Sequence, residues 1–489
     1  MGTNRNKQTD MPYVYMIKKY VAERRIPFHM PGHKQGKAVH KILKSLLGNK
    51  VFKFDLTEVD NSDYLNSPTG VIQEAENLAA QAFGSYKTFF LINGSTVGNQ
   101  AAILSIVGEN DKIIVGRNAH QSTAAGIILS GAYPIYAEPA LHKESGFYPV
   151  ISPEEISRLI STHPNVRAVH LTSPTHIGFI SNIKSIRELT LKHNIPLIVD
   201  EAHGSHFPFH SELPVSAIKI GADIIVQSTH KTIGSLTQTS MLHINHSPHI
   251  NTQKMQSILS LLQSSSPSTL FIMSLDAARY QMATEGDTLL TKTLQLARKL
   301  RSEINEIPNL YCYGKEIIGQ DDIYDLDETK ILINVSKTGY TGYELEKILG
   351  RKYKVEVEMS DAHHILVFVT VGDTISSINS LLVALRDIAM NPKQAHFTRE
   401  PLILPAIPPL QITPRQAFFA SKQRVSLSAS VGQICGEFVT PFPPDIPVIM
   451  PGEIITKDIV EFIKKLQKDR VMVVGPADTT LGTIQIIRS

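Results

Sequence analysis

The chain has 489 residues, 42% of them hydrophobic and 19% charged, the make-up of a globular enzyme of two to four domains with length enough for a large core. Its 48 basic and 45 acidic residues leave a formal net charge of +3 and no long basic run, so there is no nucleic-acid footprint. Cys312 and Cys435 form no CxxC pattern, which excludes a zinc ribbon and a disulfide framework and suits a reducing compartment; no apolar stretch has the length of a signal peptide or membrane span, so a cytoplasmic protein without membrane or nucleic-acid partners is expected.

Residues 1–35 read as an N-terminal arm, with a short helix around Met11–Glu23 and then the polar run His29-Met30-Pro31-Gly32-His33-Lys34. Residues 36–286 read as the main domain. Val71–Phe83 carries apolar residues at 71, 72, 75, 78, 79, 82 and 83, a helical stripe stopped by Gly84. Short apolar runs follow at Thr88–Ile92, Lys112–Val115, Val166–Leu171, Pro196–Val199 and Asp223–Val226, with helical stretches between them. That alternation predicts a mainly parallel sheet covered on both faces, an α/β fold. After Gly286 the pattern changes. A long amphipathic helix is expected over Asp287–Ile307, opening a smaller α+β region (287–395) whose regular structure ends near Met390. Pro401, Pro405, Pro408, Pro409 and Pro414 mark a connector, and a tail (396–489) closes with a helix and an apolar strand.

The chemistry concentrates at strand ends. Asp200-Glu201-Ala202-His203-Gly204-Ser205-His206 follows one buried strand and Gln227-Ser228-Thr229-His230-Lys231 follows the next, 231 − 200 = 31 residues on, about one helix-plus-strand unit. Adjacent parallel strands would then present a carboxylate and an amine at the same sheet edge, where open α/β sheets bind ligands. That pair is what pyridoxal phosphate requires: a lysine to form a Schiff base and a carboxylate to keep the ring nitrogen protonated. The lysine must be desolvated or near other cations to react near neutrality, since its ordinary pKa is about 10.4.

Asp-Glu-Ala-His also spells a helicase box, but the phosphate loop that reading needs is absent: Gly32–Ala38 is one residue short, ends in alanine and follows no strand. A metal site at Asp200, His203, His206 and His210 would leave Ser228-Thr229-His230-Lys231 without a role. Asn93-Gly94-Ser95-Thr96-Val97-Gly98-Asn99 follows a strand and opens a helix, offering Ser95, Thr96 and the helix N-terminus to a phosphate; Ser95 as a plain N-cap is the plainer alternative. Arg117-Asn118-Ala119-His120 sits at another strand end, where His120 either stacks on a cofactor ring or is a capping or core histidine.

Together these motifs resemble the Orn/Lys/Arg decarboxylase family of fold-type-I pyridoxal enzymes. The likeness also takes in Pro31-Gly32-His33-Lys34, Ser173-Pro174-Thr175 with Gly178, Pro414-Arg415-Gln416-Ala417-Phe418-Phe419, Glu437 and Pro441-Phe442-Pro443-Pro444. It implies a fold-type-I large domain with a smaller α+β C-terminal region, and pyridoxal 5'-phosphate as cofactor. It implies Lys231 as the Schiff-base lysine, Asp200 as the ring-nitrogen partner, His120 stacked on the ring and Ala202 on its other face. Ser95, Thr96, Ser228 and His230 are implied as phosphate ligands, and Ser268, in the loop Ser265–Ser268, as reaching a neighbouring subunit's phosphate.

The larger inducible members carry a receiver-like domain ahead of the arm, and only about 30 residues precede Pro31 here, so the chain resembles the short biosynthetic type. The implied reaction is decarboxylation of a basic L-amino acid, arginine to agmatine first, with lysine and ornithine behind it. A homodimer or dimer of dimers with composite active sites is expected, and no metal. His203, His230 or Lys231 could return the proton to the substrate carbon. Glu437, Asp445, Asp361 and Asp60–Asp63 are candidates for the substrate's basic end, and Arg415 is the residue to watch for an aminotransferase-like grip on the substrate carboxylate. An aminotransferase and a non-catalytic cofactor-binding homologue remain as rival readings.

Overall fold

The computed structural model describes residues 7–148, 150–393, 402–442, 446–469 and 471–488. The elements used below are, in chain order, α1 (Pro12–Ala22), α2 (Val71–Phe83), β1 (Lys87–Leu91), α3 (Gly94–Ile106), β2 (Lys112–Gly116), α4 (Gln121–Ser130), β3 (Tyr133–Ala137), β4 (Val166–Thr172), β5 (Leu197–Asp200), β6 (Ile224–Gln227), β7 (Ser240–Ile244), α5 (Thr269–Asn305), β8 (Lys330–Asn334), β9 (His364–Phe368), α6 (Ile375–Met390), α7 (Pro414–Phe419), β10 (Lys422–Ser426), α8 (Lys457–Lys468) and β11 (Thr483–Ile487). Each of the five apolar runs expected to be strands is one, to within a residue at either end. Contacts divide the chain into two units, Met1–Ser105 with Ile198–Thr291, and Ile106–Leu197 with Lys292–Ser489.

In the first unit the strand order is β1-β7-β6-β5. β5 and β6 are parallel, with Asp200 opposite Val226. β7 runs antiparallel to both β6 and β1. Every residue of β5, β6 and β7 is buried, which is why these segments read as unbroken apolar runs rather than alternating ones. α2 turns Ile72, Ala75, Leu78, Ala79 and Phe83 inward and stops at Gly84 in the left-handed conformation, φ 83°. α3 lies hard against the strands: a Cβ on Gly98 would come within 2.7 Å of Val226 Cγ1 and 2.8 Å of Leu91 Cδ1, so a side chain there would lift the helix off the sheet.

The arm helix α1 is pinned by α5. Asp276 Oδ2 accepts the backbone N–H groups of Tyr13 and Val14 at 3.1 and 3.4 Å, and Arg279, paired with Asp276, donates to the carbonyls of Gln8 and Asp10. α5 itself corrects an expectation. It begins at Thr269, not at Asp287, and runs 37 residues. Ile272, Leu275, Ala278 and Met282 are buried at helical spacing, and Gly286 is a contact rather than a break: a Cβ there would meet Phe209 Cβ at 3.2 Å.

In the second unit β4-β2-β3 is wholly parallel. Two further cores follow along the chain. One gathers Ile331 and Ile333 of β8, Ile365 of β9 and Ile378, Leu382 and Leu385 of α6. The other gathers Cys435, Ile449, Ile459, Phe462 and Ile463 with Ile484 and Ile486, and here β10 and β11 pair antiparallel. α6 ends at Met390, and α8 and β11 are the expected helix and closing strand of the tail.

Candidate active site

The parallel register of β5 and β6 brings two loops to one sheet edge. Asp200, the last residue of β5, is 2% exposed. Its Oδ2 accepts the Asn99 side-chain N–H at 2.7 Å, and its Oδ1 accepts the Ala202 backbone N–H at 3.1 Å. These two hydrogen bonds offset part of the cost of burying it. Glu201, one residue on, points into structure instead: it accepts from the Ser216 hydroxyl, the Ala217 N–H and the Gln227 amide at 2.7, 2.7 and 2.6 Å. Burial pushes its carboxyl up to about 7, against those three bonds.

Lys231 lies in the helical turn Thr229–Thr232 after β6. Its Nζ is 2.9 Å from His203 Nε2, so the amine that the sequence singles out lies within hydrogen-bond distance of a histidine from the Asp200 loop. The chain therefore brings Asp200, Ala202, His203 and Lys231 to one edge of one unit. Over the same edge sits a cluster of hydroxyls. Ser95 Oγ, in the first turn of α3, is 2.7 Å from Ser228 Oγ and donates to Ser240 Oγ at 3.1 Å; Thr96 on that turn is exposed. His230 Nδ1 donates to the Thr239 carbonyl at 2.6 Å, and burial, helped by Lys231, holds its pKa below the ordinary histidine value. The loop ahead of α5 is tied in by the Ser264 N–H, which donates to Asn93 Oδ1 at 3.2 Å; the Ser268 carbonyl accepts the first N–H groups of α5, from Phe271 and Ile272.

Two members of this site escape sequence reasoning. Ser240 enters on β7, a strand not anticipated. Asn99 stands in the Asn93–Asn99 motif without a role, although it is four residues after Ser95 and so shares its helix face, which was signal enough. In the second unit, His120 occupies the N-cap of α4: its Nδ1 accepts the Ser122 N–H at 3.2 Å and lies 2.8 Å from Ser122 Oγ, with the ring exposed. The four residues of the metal reading do not gather, and among the described residues no group of three or more His, Cys, Asp or Glu could hold an ion.

Comparison with known proteins fits this edge. The profile of the family described as Orn/Lys/Arg decarboxylase, major domain, matches residues 11–377, and that of its C-terminal domain matches residues 397–483. The chain belongs to the Orn/Lys/Arg decarboxylase family. It is 39% identical to the arginine decarboxylase of Bacillus subtilis (strain 168) over 483 residues, 98% of either chain. It is 23% identical to lysine decarboxylase LdcA of Pseudomonas aeruginosa over 578 residues, covering 94% of this chain and 76% of that one. The solved lysine decarboxylase LdcF of Francisella novicida superposes with a TM-score of 0.84 at 22% identity, over 98% of this chain and 82% of that one, so the chain shares its fold.

Within this decarboxylase several of the acidic candidates for the substrate's basic end already hold protein partners. Asp63 gathers the backbone N–H groups of Tyr64, Thr69, Gly70, Ile72 and Gln73 around the start of α2. Asp60 is exposed and faces Arg25 at 3.6 Å. Asp361 accepts from the His363 and His364 N–H groups and pairs with the His364 ring. Asp445 lies outside the described residues, as do Pro443 and Pro444. Arg415 donates from Nη1 to the Leu129 and Ile128 carbonyls at 2.6 and 3.4 Å, a cation closing the C-terminal turn of α4. Glu437 is 7% exposed, and its two oxygens accept the Ala477 and Gln485 N–H groups, each at 2.8 Å. Glu437→Ala should therefore cost stability, about 1–3 kcal/mol in urea unfolding from the stranded N–H groups, while KM moves little. A large rise in KM at unchanged stability would return Glu437 to the substrate.

Proposed function

We propose that this decarboxylase acts on L-arginine in the cytoplasm, releasing CO2 and agmatine for polyamine biosynthesis, with pyridoxal 5'-phosphate carried on Lys231. What carries the substrate assignment is the 39% identity to an arginine decarboxylase along 98% of both chains, against 23% for a lysine decarboxylase. The residues present suit the cofactor. The clustered hydroxyls of Ser95, Ser228 and Ser240 at the start of α3 form a donor set for a phosphate. The buried carboxylate of Asp200, fixed by Asn99, suits a protonated ring nitrogen.

Ser95, Thr96, Ser228 and His230 would hold the phosphate, Asp200 would hold the proton on the ring nitrogen, and Ala202 and His120 would pack against the ring faces. When bound, the ring supplies an electron sink for the pair left by the departing carboxylate. The chain's own part is proton handling. Lys231 must give up a proton to become a nucleophile, and His203 Nε2, 2.9 Å away, is the acceptor at hand. The same pair can return a proton to the substrate carbon, whereas the Nδ1 proton of His230 is committed to Thr239.

The reading extends to a homodimer, or dimer of dimers, in which the exposed loop around Ser265 and Ser266 leads Ser268 toward a neighbour's phosphate. Among the described residues no helix is long and apolar enough to cross a membrane. A panel assay of purified protein with arginine, lysine and ornithine, scoring both CO2 and keto acid, tests the function. CO2 from arginine well above the other two is expected. CO2 chiefly from lysine or ornithine moves the substrate, and keto acid without CO2 makes the enzyme an aminotransferase.

A further inference from the structure

Two motifs far apart in the sequence meet inside the second unit. Arg117, the residue after β2, forks onto Glu453, with Nη1 2.5 Å from Oε1 and Nη2 2.9 Å from Oε2; the two side chains are 3% and 0% exposed. Arg117 Nε donates to the Pro447 carbonyl at 2.9 Å, and its guanidinium lies over the Tyr136 ring at 4.7 Å. Glu453 Oε2 also accepts the Met450 N–H at 2.7 Å. The guanidinium is thus held on three sides, and the carboxylate is tied to its own turn.

A buried ion pair adds little net stability over apolar side chains of the same volume, because desolvation offsets the attraction; what it supplies is fixed geometry. The position of Arg117 shows what is fixed. Only Asn118 and Ala119 separate it from His120, and the turn is closed by the Ala119 N–H on the Gly116 carbonyl. On its other flank the loop borders a cavity of about 440 Å³, lined by Arg117, Ala119, His120, Tyr136, Phe442 and Met450 among others. Besides the backbone bonds of Arg117 to Ala137 and of Thr123 to His120, the bidentate fork is the contact that ties this loop to the turn carrying Glu453.

We propose that Glu453 is a positioning residue: acting through Arg117, it holds the loop between β2 and α4, and so sets His120 for its stacking partner. This rests on the reading of His120 as a cofactor-stacking residue. The test is titration of apo-protein with pyridoxal 5'-phosphate, followed by absorbance, for the wild-type chain, Glu453→Gln, His120→Ala and the double variant. Glu453→Gln should weaken cofactor binding about tenfold, the scale on which supporting partners of ligand-holding side chains act. In the His120→Ala background the same change should cost nothing further, because both act through one ring. Unchanged binding in Glu453→Gln, or losses that simply add, overturns the proposal.

Should Glu453→Gln fail to fold, the paired change of Arg117 and Glu453 to methionine removes both charges and keeps volume, which buried pairs tolerate. That pair should fold, melting somewhat below the wild type because the Pro447 carbonyl and the Met450 N–H lose their partners, yet bind cofactor weakly. Normal binding by it, or failure of both variants to fold, makes the bridge a folding element and overturns the positioning role. A wild-type chain that takes up no pyridoxal phosphate is a separate outcome: it removes the cofactor reading itself, and this inference with it.

Discussion

Lys231→Ala should lose nearly all decarboxylation, by a factor of about a thousand or more, equivalent to roughly 4 kcal/mol in barrier. Lys231 stands on the turn after β6, beside the loop that carries Asp200 and His203, and its Nζ lies 2.9 Å from His203 Nε2. The variant should still fold, since the half-buried side chain gives up about one hydrogen bond, worth about 1 kcal/mol. It should also retain some affinity for the cofactor through the hydroxyl cluster around Ser95. What should vanish is the covalent link. Borohydride applied to the wild-type protein should bleach its visible colour and leave the cofactor on the peptide containing Lys231; applied to Lys231→Ala it should leave no adduct. An adduct mapped to a different lysine would sink the assignment, whatever the activity of the variant.

How much of this was legible in the sequence depended on range. β5 and β6 are short unbroken apolar runs, and a parallel sheet buried on both faces leaves that signature whatever surrounds it. Asp200 and Lys231 followed from those two strands and one helix-length spacing. β7 was missed because Ser-Met-Leu-His-Ile carries a histidine in a fully buried strand. His243 is admitted there by partners distant in sequence: Thr88 Oγ1 lies 2.8 Å from its Nδ1, Phe83 stacks on it, and burial pushes its pKa down to about 3. The start of α5 was misplaced because Gly286 reads as a stop, whereas it is the spot where the helix passes Phe209. Asn99 was within reach by helical periodicity. The Arg117–Glu453 bridge was not: each half is a plain charged residue, and nothing short of the fold joins positions 117 and 453. Asp63 and Glu437 both accept backbone N–H groups, Asp63 around the start of α2 and Glu437 from residues far along the chain, contacts that composition does not reveal.

Asp200→Ala should be nearly as damaging as the loss of Lys231. A carboxylate beside a protonated ring nitrogen matters most where charge flows into the ring, so its removal falls on the transition state rather than on substrate binding. A loss of about 3–4 kcal/mol in barrier, some hundred- to thousandfold in kcat, is expected with KM little changed. Burial makes the substitution a double one, because the Asn99 amide and the Ala202 N–H lose their acceptor. A fall in stability of about 1–3 kcal/mol should accompany it. Asp200→Asn separates the effects: the side chain still fills the space and still offers an oxygen, so the fold should hold while kcat stays low. Asn99→Ala leaves the charge and removes its orienting bond, and should cost about tenfold, as loss of a single neutral hydrogen bond to a charged group does. The three variants should therefore rank Asp200→Ala, Asp200→Asn and Asn99→Ala in falling order of damage to kcat. Near-wild-type turnover in Asp200→Asn would mean that no charge is needed at that position, and the pairing of Asp200 with a ring nitrogen would have to be abandoned.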